Sequence, residues 1–210
     1  MTDTKIFGLR ELKKRETRQE ISDQATRLFI ERGFEETTIA EIAAAARVAK
    51  KTVTNYFPRK EDLAFDHHEQ FVAALAEIVA RRPPGESALA ALRSAFMEAA
   101  GRQDPMLGFT RDGFGRMIVE SPTLVARLRE LLEQREEALA RVLAAETGDR
   151  GLVPQVAAAQ LAAPYRVLLG RIMELTLAGL DNARITELVT ESAREAFDLM
   201  EPSFATYAVR

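Results

Sequence analysis

The chain has 210 residues, 47% of them hydrophobic, no cysteine and a formal net charge of −3, which is enough apolar material for one or two cored domains and excludes a disulfide framework or a thiolate metal site. No window approaches about 18 uncharged apolar residues, so no membrane span is expected, and the charged N-terminus lacks the apolar core of a signal peptide; a cytoplasmic location is the default expectation. Ala and Leu dominate, Pro and Gly are sparse and β-branched runs are absent, an all-α profile.

In chain order, residues 1–10 read as loose, with Lys5 and Arg10. A helix follows to about Arg32, its apolar stripe being Ile21, Ala25, Leu28 and Phe29 at helical spacing. Gly33 is its C-terminal stop, where left-handed geometry is favoured. Lys13, Lys14, Arg15 and Arg18 cluster near the start of this helix. Singly they read as a solvated helix end; as a group they suit phosphates beside a binding site or a minor groove.

The stretch from Thr37 to Leu63 is the most informative. Thr38 is a good N-cap and Glu41 stands three residues on, a capping box. Ile39, Ile42, Ala43 and Ala46 recur at helical spacing, and Ala45 and Ala46 are small enough for close helix approach. Arg47-Val48-Ala49 is a turn, with Val48 as its apolar plug. Lys50 to Tyr56 forms a second helix presenting Lys50, Lys51, Thr52, Thr54 and Asn55 outward. Val53 and Phe57 share the opposite face, and Pro58 ends the helix. A short helix, polar and basic on one side and anchored on the other, suits a DNA major groove, about 12 Å wide. Its lysines would meet phosphates, and Asn55 or the threonines would reach base edges. An ordinary helical hairpin with a solvated basic face has the same pattern.

Gly33-Phe34, Thr37-Thr38-Ile39, Ile42-Ala43, Ala46, Val48, Thr52-Val53, Tyr56-Phe57, Lys60-Glu61 and Leu63 together resemble the DNA-binding signature of the TetR family of transcriptional regulators. The resemblance covers the chain up to about residue 65. It implies that Lys50–Tyr56 is the recognition helix, with Thr38 and Tyr56 also at the DNA, and that Lys60 contacts phosphate. The family commonly has an aromatic residue where this chain has Thr54, so that phosphate contact falls to Thr54 or Tyr56. The charge distribution agrees with a basic head on an acidic body. Residues 1–60 hold 13 Lys and Arg against 9 Asp and Glu, leaving 16 against 23 for the rest. Affinity for a polyanion follows the local patch rather than the total.

Arg59 to about Arg81 reads as one further helix, with Glu61 and Asp62 in its first turn, where the dipole favours acids, and Leu63, Phe71, Leu75 and Ile78 on its core face. Arg82-Pro-Pro-Gly-Glu is a breaker. Unbroken, the helix would join head to body as a rigid lever. His67 and His68 are adjacent, so they do not share a helical face and no metal site is expected. Ser87 to Ala100 is the next helix. Asp104 and Pro105 open a segment from Met106 to Val119 whose glycines weaken its helical character. Ser121-Pro122 opens a long charged helix to about Thr147, with Leu124, Leu128, Leu131 or Leu132, Leu139 and Val142 inward. Pro154 to about Gly179 is another helix, in which Pro164 should introduce a kink or lie near a junction. The last helix is about Ile185 to Met200, with a short tail after Pro202. About nine helices result, divided as a helix-turn-helix domain over 1–58 and a helical ligand-binding and dimerisation domain over 59–210.

The usual catalytic and phosphate-binding motifs are absent, so neither an enzyme nor a bound cofactor is expected. A ligand pocket in the body is suggested by Phe96, Met97, Met106, Phe109, Phe114, Met117, Tyr165 and Met173, because Met and aromatic residues suit adaptable apolar surfaces. Arg111, Arg116, Arg166, Arg171 and Glu174 are polar candidates to orient a ligand. The plainer reading is a core with arginines reaching water. The resemblance implies a small-molecule effector, a palindromic double-stranded operator and a homodimer through the last two long helices, whose Ala- and Gly-containing faces allow close packing. The competing reading is an all-α enzyme or small-molecule carrier whose head is only structural.

Overall fold

The computed structural model describes residues 8–110 and 113–210; Lys5 and Arg111 lie outside the described residues. Among the described residues the chain is all-helical: α1 Leu9–Arg32, α2 Ile39–Ala45, α3 Lys50–Tyr56, α4 Glu61–Ala64, α5 His68–Arg81, α6 Ala88–Gly101, α7 Phe114–Glu120, α8 Pro122–Thr147, α9 Val153–Leu177 and α10 Asn182–Phe204, with a 3-10 turn at Pro105–Leu107. None of these helices is long and apolar enough to cross a membrane. The chain divides into two compact units, Met1–Asp66 with Asp112–Val125 and His67–Arg111 with Ala126–Arg210. The sequence alone suggested a single boundary at 58/59.

In the first unit α1 ends at Gly33, whose φ of 92° is open to glycine without strain. Ile21, Ala25, Leu28 and Phe29 of α1 are buried with Phe34, Ile42, Ala43, Val53, Phe57 and Leu63. The Phe29 and Phe34 rings meet at 4.9 Å between centroids, tilted by 55°. The unit is completed by α7, which lies against α1 and buries Met117 and Ile118, and by the start of α8. The Ser121 hydroxyl caps that start, accepting the Leu124 N–H at 3.1 Å.

The helix expected over Arg59–Arg81 is two helices, which raises the count from about nine to ten. The reason is competition for backbone polar groups. Arg18 of α1 donates to the Asp66 carbonyl at 2.9 Å. Ser22 donates to the Asp66 carboxylate at 2.7 Å and lies 3.4 Å from the Leu63 carbonyl. A continuing helix would have used both carbonyls internally. Phe65 accordingly leaves the helical region, at φ −112° and ψ 53°.

In the second unit α6, α9 and α10 pack together around Phe96, Tyr165 and Phe197. The Phe96–Tyr165 centroids are 5.1 Å apart and nearly perpendicular. Tyr165 donates its hydroxyl proton to the Leu92 carbonyl at 2.8 Å. The segment expected to be helical over Met106–Val119 is instead the 3-10 turn and α7. Gly108 separates them at φ 99°, where a Cβ would lie 2.8 Å from the Leu169 side chain. Pro164 sits inside α9, which continues on both sides of it. The tail expected after Pro202 is part of the fold: α10 runs on to Phe204, whose ring meets Tyr207 at 5.7 Å. Arg210 donates to the Ala80 and Arg82 carbonyls at 2.8 and 3.0 Å.

Candidate nucleic-acid interface and ligand cavity

Thr38 and Glu41 close the expected capping box. The Glu41 N–H donates to the Thr38 hydroxyl at 3.2 Å, and the Thr38 N–H to the Glu41 carboxylate at 2.8 Å. These bonds hold Glu41 below the usual carboxylate range. Arg47 makes the turn at a φ of 56°, the Val48 N–H donates to the Ala43 carbonyl and the Val48 side chain is half-buried. On α3, Lys50, Lys51, Thr54 and Asn55 are exposed, Thr52 and Tyr56 half-buried, and Val53 and Phe57 buried. The helix therefore presents one basic and amide-bearing face while its other face is sealed. Thr54 also donates to the Lys51 carbonyl at 3.1 Å.

Two long cations of this unit are half-buried and donate to backbone carbonyls. Arg18 lies 4.2 Å above the Phe57 ring and donates to the Tyr56 carbonyl at 3.0 Å, so it holds the end of α3. Lys60, expected at phosphate, donates to the Phe34 and Glu35 carbonyls and lies 4.3 Å above the Phe34 ring. Burial draws its ammonium below the usual lysine range. Carbonyls past the end of α1 attract a cation. Glu35 is held on the other side by Ser121, which donates to its carboxylate at 2.6 Å and, as the largest influence, pulls it below the usual range.

The residues expected to line a ligand pocket are divided between the two compact units. Phe114 and Met117 belong to the first unit. Phe96, Phe109 and Tyr165 are buried members of the second unit's core, with Met97 against it, and Met173 is half-buried on α9. Arg171 and Glu174 pair with each other at 3.4 Å, and Arg116 lies 3.8 Å from Glu120. Of the residues expected to line a pocket or orient a ligand, Arg166 lines a cavity in the second unit. That cavity, about 240 Å³, lies between α8 and α9, bordered by Arg129, Glu133, Arg135, Glu136 and Ala162. Arg135 is 4% exposed. Its guanidinium lies 4.5 Å from the Phe71 ring and 5.0 Å from Tyr165, and its Nε has no acceptor. Burial lowers it to about 10, with no carboxylate among the influences on it. Burial also raises Tyr165.

Residues 21–66 match the model of the bacterial regulatory proteins of the tetR family. The HTH-type transcriptional regulator TcmR of Streptomyces glaucescens is 36% identical over 150 residues, 67% of this chain and 65% of that protein. The chain belongs to the TetR family. It spans about 65% of the length of this curated relative. Among solved structures, the SmeT–triclosan complex matches with a TM-score of 0.58 at 20% identity, over 93% of this chain and 94% of that one. NalD, the secondary repressor of the MexAB-OprM multidrug efflux pump in Pseudomonas aeruginosa, matches with a TM-score of 0.54 at 20% identity, over 92% and 98%. At that identity the two structures establish a shared fold.

Thr38 caps α2 and Val53 and Phe57 are buried behind α3, as read from sequence. Sequence reasoning missed Glu35 and Arg135. For Glu35 there was no signal, since its partner is 86 residues away. For Arg135 there was one: Leu124, Leu131, Leu139 and Leu143 are buried on α8, and Arg135 falls in that row, four residues from both Leu131 and Leu139.

Proposed function

We propose that this TetR-family chain is a DNA-binding transcriptional regulator, by default a repressor, which reads a pseudo-palindromic operator as a homodimer and is released by a small molecule. The observation that carries the reading is α3, with Lys50, Lys51, Thr54 and Asn55 on its exposed face and Val53 and Phe57 sealed behind. Lys50 and Lys51 meet phosphates, and Asn55 reads a base edge. Lys60 supports the head through the Phe34 and Glu35 carbonyls. In a dimer the two recognition helices enter successive major grooves, roughly 34–36 Å apart. Val156, Val167 and Leu199, apolar and exposed on α9 and α10, supply the dimer face. The protein works in the cytoplasm, where operators are.

The break at 65–67 removes the rigid Arg59–Arg81 lever from the release mechanism, and α8 takes its place. Ser121, at its start, is bonded to Glu35 of the DNA-reading unit, and Arg135, about four turns on, lines the cavity. A ligand that shifts α8 works against the Ser121–Glu35 bond and so disturbs the pairing of the two reading helices. Linkage then requires operator to weaken ligand binding by the same factor, typically about 5–150-fold. Selection from random duplexes tests the reading: enrichment of a palindrome supports it, and no enrichment favours a carrier whose head is structural.

A further inference from the structure

Arg135 is a buried cation without an anion. The Phe71 and Tyr165 rings lie 4.5 and 5.0 Å from its guanidinium carbon, and a guanidinium forms hydrogen bonds through its edge. That edge carries five N–H donors in one plane, yet Arg135 makes no hydrogen bond or ion pair among the described residues. Buried charges are ordinarily paired. Glu133 and Glu136 border the same cavity but form no ion pair with it, and Arg129 and Arg166 leave the lining with three cations against two carboxylates. We propose that the cavity beside Arg135 binds the carboxylate of a small organic molecule, with Arg135 as its anchor.

A planar carboxylate matches the open edge of a guanidinium, taking two parallel N–H donors at once. Two ring contacts and near-complete burial restrict the guanidinium before the ligand arrives. The cavity, about 240 Å³, exceeds the roughly 150 Å³ of an engineered cavity that holds benzene, so a ring or short chain fits behind the acid group. Arg129 and Arg166 add long-range attraction for an anion. The site's regulatory meaning rests on the effector reading above, but its chemistry does not need DNA.

The test is calorimetric titration of the full-length, DNA-free protein with acetate, hexanoate and benzoate, with their amides, and with inorganic phosphate. At least one carboxylate should bind about tenfold or more tightly than its amide. That margin should vanish in Arg135→Gln and shrink severalfold in Arg135→Lys, which keeps the charge and loses the fork. No carboxylate preference, a preference that survives Arg135→Gln, or tighter binding of phosphate than of every carboxylate would each overturn the assignment. Should Arg135→Gln not fold, Arg135→Lys decides: a margin as large as the wild type's overturns it. Carboxylate binding that leaves operator affinity unchanged defeats the effector reading and leaves this site standing.

Discussion

Replacing Arg135 by Met should leave the ligand-free protein as stable as the wild type, or more so. A guanidinium lowered by burial to about 10 carries about 3 kcal/mol of penalty on its charged form, at about 1.4 kcal/mol per pKa unit. The two ring contacts return about 1–3 kcal/mol between them. Met keeps the apolar stem, fills an irregular space well and removes the charge. The variant should therefore unfold with a free energy equal to the wild type's or up to about 2 kcal/mol above it. Urea unfolding read at equal protein concentration measures this. The gain should be flat between about pH 6 and pH 9, because a cation with a depressed folded-state pKa is charged in both states there; relief comes only as pH rises above the folded value of about 10. If Arg135 instead had a buried acidic partner, Arg135→Met would strand it and cost about 3–5 kcal/mol. A loss of that size would refute the reasoning.

Asn55→Ala should change base preference at one operator position, by about 1–3 kcal/mol for a bidentate contact; equal losses on operator and random duplex, measured by competition binding, would show that Asn55 reads no base. Val167, 58% exposed on α9, should be covered in the dimer, so Val167→Glu should shift sedimentation to the monomer at micromolar protein. Ser121→Ala should raise the Glu35 pKa towards its ordinary value, because the Ser121 hydroxyl is the largest influence lowering it. Glu35 contributes stability above its unfolded pKa and loses it as pH falls through the lower folded value, so the variant's acid unfolding should begin at higher pH; side-chain carboxyl NMR titration reads the shift directly.

Much of the head was legible because its signals are local. The Thr38–Glu41 capping box, the stop at Gly33 and the shared face of Val53 and Phe57 each involve residues within four positions of one another, where backbone geometry leaves few alternatives. The helical periods of α1, α6, α8, α9 and α10 were visible for the same reason. Tertiary structure decided the rest by competition over distance. Arg18 and Ser22 take polar groups from Leu63 and Asp66, more than 40 positions along the chain, and so break a helix that its own sequence would continue. Lys60, with the composition of a surface residue, turns to the carbonyls of Phe34 and Glu35. Phe96 and Tyr165 had the character of ligand contacts, but their rings met each other and Phe197 in the core. Arg135 had the character of one more charge on a charged helix; only the folding of Phe71 and Tyr165 against it made it a buried cation facing a cavity. Short-range hydrogen-bond and packing rules determine which segments coil, whereas burial and pairing depend on which distant groups the tertiary structure brings to a shared partner.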